Sequence, residues 1–379
     1  MTQAVTTFSC PGCGGRPVWS PKTAGLQCPF CGLDIPVDQD RSTPQTHDIH
    51  TAPATDEAAW GDAKRVFRCQ ACGAETVLGA NESATACAFC GSPQVLEDQS
   101  ARGIAPETVL PFAVDQSSAV GSFRTWLKHK LFAPGKVKKM AQLGQMTGVY
   151  LPHWMFDDHA EADYTGLEGH AYYVDVPVTV QRDGKTVTEM RRERRIRWEP
   201  TAGHVSDDFA DVSVPGSERL ERHLLQSVQP YDLTGLCRYR AEYLSGFAAE
   251  NPSVPLQKGW DNARDRIENH MVALAKQDIL SRADEARVNQ AETSHANTRY
   301  KLTLLPMYLS SFRYKDRIYR ILVNGQTGKC SGESPVSPWR VLALVLLLAA
   351  IGAGIYYLTQ GAASAEETGQ MLQTLSSLP

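Results

Sequence analysis

The chain lacks the sequence signatures of the common nucleotide-driven and hydrolytic enzymes. It has no G-x-S-x-G elbow and no H-E-x-x-H helix, which removes the usual serine-hydrolase and zinc-protease patterns. Gly184-Lys185-Thr186 resembles the end of a phosphate loop, but Thr179 stands where that loop needs its first glycine. The stretch also reads as a hairpin turn, whereas a phosphate loop joins a strand to a helix. Excess charge is missing too: the formal net charge is -4, so nothing global draws the chain to nucleic acid and any basic surface must be local. The opening residues, MTQAVTTFSC, have neither a basic start nor an apolar core, so no secretory signal is expected. His153, Asp157, Asp158, His159 and His170 invite a catalytic reading, yet their spacing follows no known scheme. The expectation is a non-enzymatic protein.

Paired cysteine is what the chain does have. FSCPGCGGRPVWSPKTAGLQCPFCGLDI is followed by FRCQACGAETVLGANESATACAFCGSPQ, and both read C-x2-C, fourteen residues, C-x2-C, at a constant offset of 59. A module of roughly 25 residues is too short to bury a useful core and needs a staple. Four thiolates around one zinc ion supply it, and binding the ion then contributes the folding free energy. The ligand sets are Cys10, Cys13, Cys28 and Cys31 for one ion, and Cys69, Cys72, Cys87 and Cys90 for a second. Iron in a rubredoxin-like site would use the same geometry. Glycine follows the second cysteine of every pair (Gly14, Gly32, Gly73, Gly91), where a positive φ is often required. A thioredoxin-like role is excluded, because that uses one C-x2-C in a βαβ setting. Paired thiols read as metal ligands in a reducing compartment. The first module sets Arg16 and Lys22 against Asp34, Asp38 and Asp40, so protein docking is preferred over nucleic-acid binding.

Near the other end, Val341 to Leu358 reads VLALVLLLAAIGAGIYYL without a charge. At 1.5 Å per residue it covers about 27 Å, close to the hydrocarbon thickness of a bilayer. Trp339, Tyr356 and Tyr357 mark its edges, as interfacial aromatics do. Lys329 and Arg340 precede the span and no Lys or Arg follows it, so the N-terminal body is expected in the cytoplasm.

The expected organisation is zinc ribbon 1 (1–40), a Thr/Pro-rich linker (41–62), zinc ribbon 2 (63–98), an α+β body with antiparallel sheet (99–335), a transmembrane helix (339–358) and a short extracytoplasmic tail (359–379). Within the body, Asp183-Gly184 predicts a hairpin from His170 to Trp198, and Ser117 or Ser118 is the expected cap of a helix carrying Val120, Phe123, Leu127 and Leu131 on one face. A helix over 218–229 and another from Trp260 to about Ala286 are also predicted, with strands over 238–247 and 300–328. GVYLPHWMFDD and LTLLPMYLSSF share Leu-Pro-x-aromatic, a faint sign of a duplicated sheet unit. Two basic runs stand out, RTWLKHKLFAPGKVKK and MRRERRIRW. The first reads as a solvated helix face, a membrane-facing patch or a nucleic-acid contact. The second reads as cross-strand ion pairing.

The tandem cysteine modules, GVYLPHWMFD, YLSGFAAE, YRILVNGQTGKCSGESP and the C-terminal apolar span together resemble a bacterial family described as TFIIB-type zinc-ribbon-containing membrane proteins. Its members are often labelled primosomal protein N′ (replication factor Y), superfamily II helicase. The helicase label rests on the ribbons, since this chain offers no nucleotide-binding loop. Gln70 and Ala88 stand where the first module has proline after its leading cysteines, which loosens the turn without removing a ligand. The resemblance implies a single-pass protein of the bacterial inner membrane, an adaptor or scaffold for phage-shock-like or SPFH-like protein partners. The alternative is a membrane-tethered nucleic-acid-binding factor of replication or transcription.

Overall fold

The computed structural model describes residues 9–52, 64–70, 74–79, 87, 89, 95–100, 104–135, 146–182, 185–315 and 317–375. The first cysteine module is a three-stranded antiparallel sheet of β1 (Val18–Ser20), β2 (Gly25–Gln27) and β3 (Asp34–Ile35). β4 (His47–Asp48) follows it. The second module contributes β5 (Lys64–Cys69), β6 (Glu75–Gly79) and β7 (Val95–Ser100). The body runs through β8 (Thr108–Val109), α1 (Gln116–His129), β9 (Thr147–Arg182), β10 (Lys185–Pro215), α2 (Arg222–Ser227), β11 (Cys237–Arg238), β12 (Ala248–Glu250), α3 (Leu256–Leu280), β13 (Glu285–Tyr314), β14 (Arg317–Asn324) and β15 (Cys330–Gly332). α4 (Pro338–Leu375) closes the chain.

One twelve-stranded sheet organises the body, and it is antiparallel except where β12 joins β9 and β8 joins β13. Its spine is β10-β9-β13. α3 lies across that spine and buries Trp260, Ala263, Ile267 and Met271 against Trp154, Phe156, Tyr300 and Leu302. The approach is close: a Cβ on Gly259 would meet the Trp154 indole at 2.7 Å. The Trp154 Nε1–H donates to the Val254 carbonyl at 2.9 Å, so the buried indole keeps a partner.

The two Leu-Pro-x-aromatic copies are neighbours in this sheet. Leu151 faces Leu305, Pro152 faces Leu304, and Pro306 faces Tyr150. Proline cannot donate to a ladder and belongs where no donor is needed. Both prolines sit where the outer neighbour of their strand changes. β9 passes from β10, which ends at Pro215 opposite His153, to β12 at Tyr150. β13 passes from β8 at Leu304 to β14 at Met307. The Pro152 and Pro306 carbonyls each accept an amide across that seam, from Gly216 at 2.8 Å and Gly325 at 3.0 Å.

The hairpin predicted around Asp183-Gly184 is far longer than its turn suggests. β9 and β10 pair from Arg182 opposite Lys185 down to His153 opposite Pro215. β13 covers β9 only from Gly169 onward. Beyond Gly169 the two strands run alone for about 40 Å at 3.3 Å per residue, and Thr186–Arg195 are exposed throughout.

Several local expectations shift by a few residues. Asp115, not a serine, caps α1, accepting from the Ser118 amide at 2.8 Å. Phe123 and Leu127 are buried as predicted, with Ala119 beside them, whereas Leu131 lies outside the helix and is exposed. α2 is shorter than the helix predicted over 218–229. α3 starts earlier and stops at Leu280, because β13 begins at Glu285. Residues 238–247 hold only the end of β11 and a 3-10 turn at Ala241–Leu244. Part of the segment read as a linker lies on the body: β4 pairs with β13, and Arg299 Nε donates to Thr46 Oγ1 at 2.7 Å.

α4 begins at Pro338, a favoured first helical position, and continues to Leu375. The tail expected after 358 is therefore helical over most of its length. Pro338–Tyr356 has a mean hydropathy of 2.0 and no residue buried by the rest of the protein. It is one candidate membrane-spanning helix, long and apolar enough by length and composition.

Candidate metal centre

The first module brings Cys10, Cys13, Cys28 and Cys31 together. One ligand atom from each lies within 4.8 Å of all the others. Cys10 Sγ is 3.5 Å from Cys31 Sγ, and Cys13 Sγ is 3.5 Å from Cys28 Sγ. Zn–S bonds of 2.3 Å in a tetrahedron set the sulfurs about 3.8 Å apart, so the cluster fits a single ion.

Two matching turns build it. The Gly14 amide donates to the Cys10 carbonyl at 2.8 Å, and the Gly32 amide to the Cys28 carbonyl at 2.9 Å. Each glycine has the expected positive φ, 70° and 77°, a region L side chains rarely enter. The turns also aim amides at sulfur. The Cys31 backbone amide is the main reason the Cys28 thiol is held down to about 6, with the Phe30 amide assisting. Donors of this kind spread the negative charge that four thiolates carry.

The module is not a free knob. Its inner face is fixed by Trp19, buried in the main core cluster with Leu26. The Trp19 amide donates to the Ser245 carbonyl at 3.0 Å, its Nε1–H to the Phe112 carbonyl at 3.0 Å, and its ring meets Tyr243 at 4.9 Å. Cys10 and Cys28 face inward, Cys13 and Cys31 outward. The outward tip carries Phe30, 77% exposed, and Leu33, 40% exposed. Cysteine spacing located the ligands but gave no weight to these two apolar residues. The signal was the aromatic inside CPFC, on a turn whose two cysteines belong to the cluster.

Of the second ligand set, Cys69 and Cys87 are described and buried, packed with Ala74 and Phe89 against Leu220, Leu224 and Leu225. The Cys69 amide donates to the Ala74 carbonyl at 2.9 Å, as Cys10 does to Gly15 at 2.7 Å. Cys72 and Cys90 lie outside the described residues. So do Gly73 and Gly91. β6 pairs with β12, placing Val77 opposite Ala249 and Thr76 opposite Glu250. This module therefore extends the body sheet. At that seam Glu250 is fully buried. Ser217 Oγ donates to its Oε1 at 2.7 Å, while Oε2 has no hydrogen-bond partner. Burial pushes the carboxyl up to about 8.

Of the histidines and aspartates of β9, Asp157, Asp158 and His159 line one open surface pocket with Asp208, Phe209 and Asn297, whereas His153 and His170 are not part of it. His153 and His170 sit on one strand about 56 Å apart along the chain at 3.3 Å per residue. His153 is buried, which holds it down to about 4. Asp158 is buried and accepts from His295 Nδ1 and Thr298 Oγ1, both at 2.7 Å. His159 pairs with Asp208 at 2.6 Å on an exposed face. Glu168, His170 and Glu199 form a second possible metal group. Arg282 already pairs with Glu168 and Arg197 with Glu199. Three more arginines of MRRERRIRW are similarly engaged: Arg194 with Glu285, Arg195 with Glu193, and Arg192 over the Tyr173 ring at 4.4 Å.

Fold and site together define a β-rich protein with a tetracysteine centre at one end of its chain and a candidate membrane helix at the other. The chain is 26% identical over 342 residues to a Bacillus subtilis (strain 168) protein called uncharacterized protein YdjG, covering 89% of this chain and 93% of that one. No family model matches the chain. No solved structure matches it.

Proposed function

We propose that the chain is a single-pass, non-catalytic adaptor of the bacterial inner membrane, with its body in the cytoplasm and a zinc ion in each cysteine module. The first module presents a docking surface for a protein partner. The observation that carries this reading is the tip of that module. Phe30 and Leu33 stand exposed beside the metal ligands, while Trp19 holds the opposite face on the body. An apolar tip on a rigid mount is the arrangement a protein contact uses, because little is lost in ordering it on binding. The resemblance to TFIIB-type zinc-ribbon membrane proteins supports phage-shock-like or SPFH-like partners. The nucleic-acid alternative draws less support, since the long arginine run is largely occupied by Glu193, Glu199, Glu285 and Tyr173.

Affinity purification of the full chain from bacterial membranes, with and without Phe30→Asp, tests the proposal. A nuclease-resistant protein partner should be retained by the parent chain and lost from the variant at unchanged zinc content. A partner retained by Phe30→Asp, or lost on nuclease treatment, would remove the reading.

A further inference from the structure

α3 covers one face of β9 and then stops. Along the covered stretch the even-numbered residues of β9 face the helix. Phe156, Ala160, Ala162 and Tyr164 are buried, and a Cβ on Gly166 would meet the Ile279 side chain at 3.0 Å. The odd-numbered Glu161, Asp163 and Thr165 are exposed. α3 ends at Leu280, but the alternation of β9 continues, since successive side chains of a strand point to opposite faces. Tyr172, Val174, Val176, Val178 and Val180 carry on the even face, while Tyr173, Asp175, Pro177, Thr179 and Gln181 lie on the odd one. The arm therefore prolongs the apolar face of the core beyond the helix that covers it. Its four valines are half-buried, Tyr172 is 46% exposed, and Val187, opposite Val180, is 43% exposed.

The arm is thin as well as apolar. β13 begins at Glu285, opposite Gly169, so the arm has no third strand among the described residues. A two-stranded ribbon is marginal in water unless its apolar face packs on something.

The charges beside the apolar row point to what packs there. β10 sets Glu189, Arg191, Glu193 and Arg195 on the same face, opposite Val178, Val176, Val174 and Tyr172. Their signs alternate. A two-fold rotation level with Arg192 lays this row on a second copy of itself with opposite signs meeting: Glu189 over Arg195 and Arg191 over Glu193. Arg192 stands opposite Asp175, so the same rotation lays Val174 over Val176 and Tyr172 over Val178. A two-fold interface requires this kind of self-complementarity, and an unrelated partner does not. Glu193 and Arg195 already meet at 3.6 Å, both about half exposed, and Glu189 has a contact of its own. Exposed ion pairs contribute little, so these can be exchanged for pairs between copies while the apolar rows supply the gain. The other face is engaged at home, where Arg192 lies over Tyr173 at 4.4 Å and Arg194 pairs with Glu285 at 2.9 Å.

We propose that the β9–β10 arm is a self-association surface. Two copies lay the even faces of their arms together about a two-fold axis level with Arg192, valine row on valine row, with Arg191 against the partner's Glu193. The contact is only two strands wide and sits at the low end of interface sizes. The dimer should accordingly dissociate on dilution, with a Kd on the order of micromolar.

Sedimentation velocity of the full chain in detergent micelles, over a concentration series, tests this. The parent chain should dimerise. Val176→Asp, which puts a carboxylate in the apolar row, should remain monomeric throughout. Arg191→Glu sets like charges together at two symmetry-related places and should weaken the dimer at least about tenfold. The double variant Arg191→Glu/Glu193→Arg exchanges the signs and should restore the parent affinity, which a merely structural role for either residue would not do. Hydrogen exchange of α3 around Met271 should be unchanged in all variants, showing that the body stays folded. A parent chain that is monomeric at about 100 μM, well above the expected Kd, overturns the proposal. So does a dimer that survives Val176→Asp, which would be held elsewhere. A dimer lost with Arg191→Glu and not restored by the double variant overturns the face-to-face pairing.

Discussion

The two cysteine modules share one spacing and are used differently. The first keeps a small sheet of its own and packs on the body through Trp19 and Leu26, with Ile35 and Val37 against the same core. The second has no separate sheet among the described residues; β6 continues the body sheet at β12, and Cys69 and Cys87 join an apolar cluster with Leu220 and Leu224. A metal staple specifies a local turn and leaves the rest of the module's surface free to be spent on burial or on presentation. The first module presents its tip, and the second is absorbed.

Removing one ligand from each module is the strongest way to break that comparison, because structural zinc contributes on the order of 10 kcal/mol to folding of such units. Cys28→Ser should lose one zinc equivalent and exchange protection over Val18–Gln27, while α3 stays protected. Cys69→Ser should also lose one zinc equivalent, but its loss of protection should spread into β12 and the cluster around Leu224. Elemental analysis with hydrogen exchange on the full chain reads both. Equal spreading from the two variants would erase the distinction.

Trp19→Ala probes the plug itself. Truncating a buried tryptophan costs about 3–5 kcal/mol, and here the loss should appear as undocking of the first module. The hydrogen bond from the residue 19 amide to the Ser245 carbonyl should open while zinc content is unchanged. Loss of zinc would mean that the plug and the metal centre form one cooperative unit.

The seam of the second module carries a pH signature. Glu250 is pushed up from 4.5 to about 8 by burial. The folded state holds a proton that the unfolded chain releases near 4.5, so this stability is fully present below that pH and is lost as pH rises toward 8, at about 1.4 kcal/mol per unit. Glu250→Gln should therefore stabilise the protein at pH 9 and change little at pH 5. His153 works in the opposite sense. Burial holds it down from 6.5 to about 4, so its contribution is present above 6.5 and is lost as pH falls toward 4. Denaturation midpoints of Glu250→Gln against the parent at the two pH values check the sign. An equal shift at both would show that Glu250 is ionised in the folded protein.

The sequence carried the first tetracysteine cluster nearly in full, because its requirements are local: four cysteines, two glycines and a fixed spacing. The hairpin turn at Asp183-Gly184 was equally local, and so was the apolar periodicity of α3. The first half of β13 was missed for a physical reason. Its inward positions are Ala286 and Val288, then Ala291, Thr293 and His295, and then Thr298 and Tyr300, with bulges between Val288 and Gln290 and between Ala296 and Arg299. Each bulge shifts the parity of the inward face. Small side chains and two parity changes leave no period-2 signal to read. The Trp19 plug was invisible for a different reason. A tryptophan in a short module looks the same whether it packs at home or 93 residues away against Phe112, and only the fold decides.

Phe30 gives the smallest change in stability and the sharpest separation of the two modules' roles. Its side chain is largely in solvent, so Phe30→Ala should move the unfolding midpoint by no more than about 0.5 kcal/mol, as for other exposed positions. Phe89 in the second module holds the equivalent place in its CAFC turn but is buried, 3% exposed, in the apolar cluster with Leu224. Phe89→Ala should cost about 3 kcal/mol or more, as buried aromatic truncations do. Partner recovery from membranes should respond in reverse order: lost with Phe30→Ala at full stability, and retained by whatever fraction of Phe89→Ala stays folded. If Phe30→Ala destabilises as much as Phe89→Ala, the first tip is packed after all and is not a presented surface. If both substitutions leave the partner bound, neither module docks it, and the partner must be held by the body.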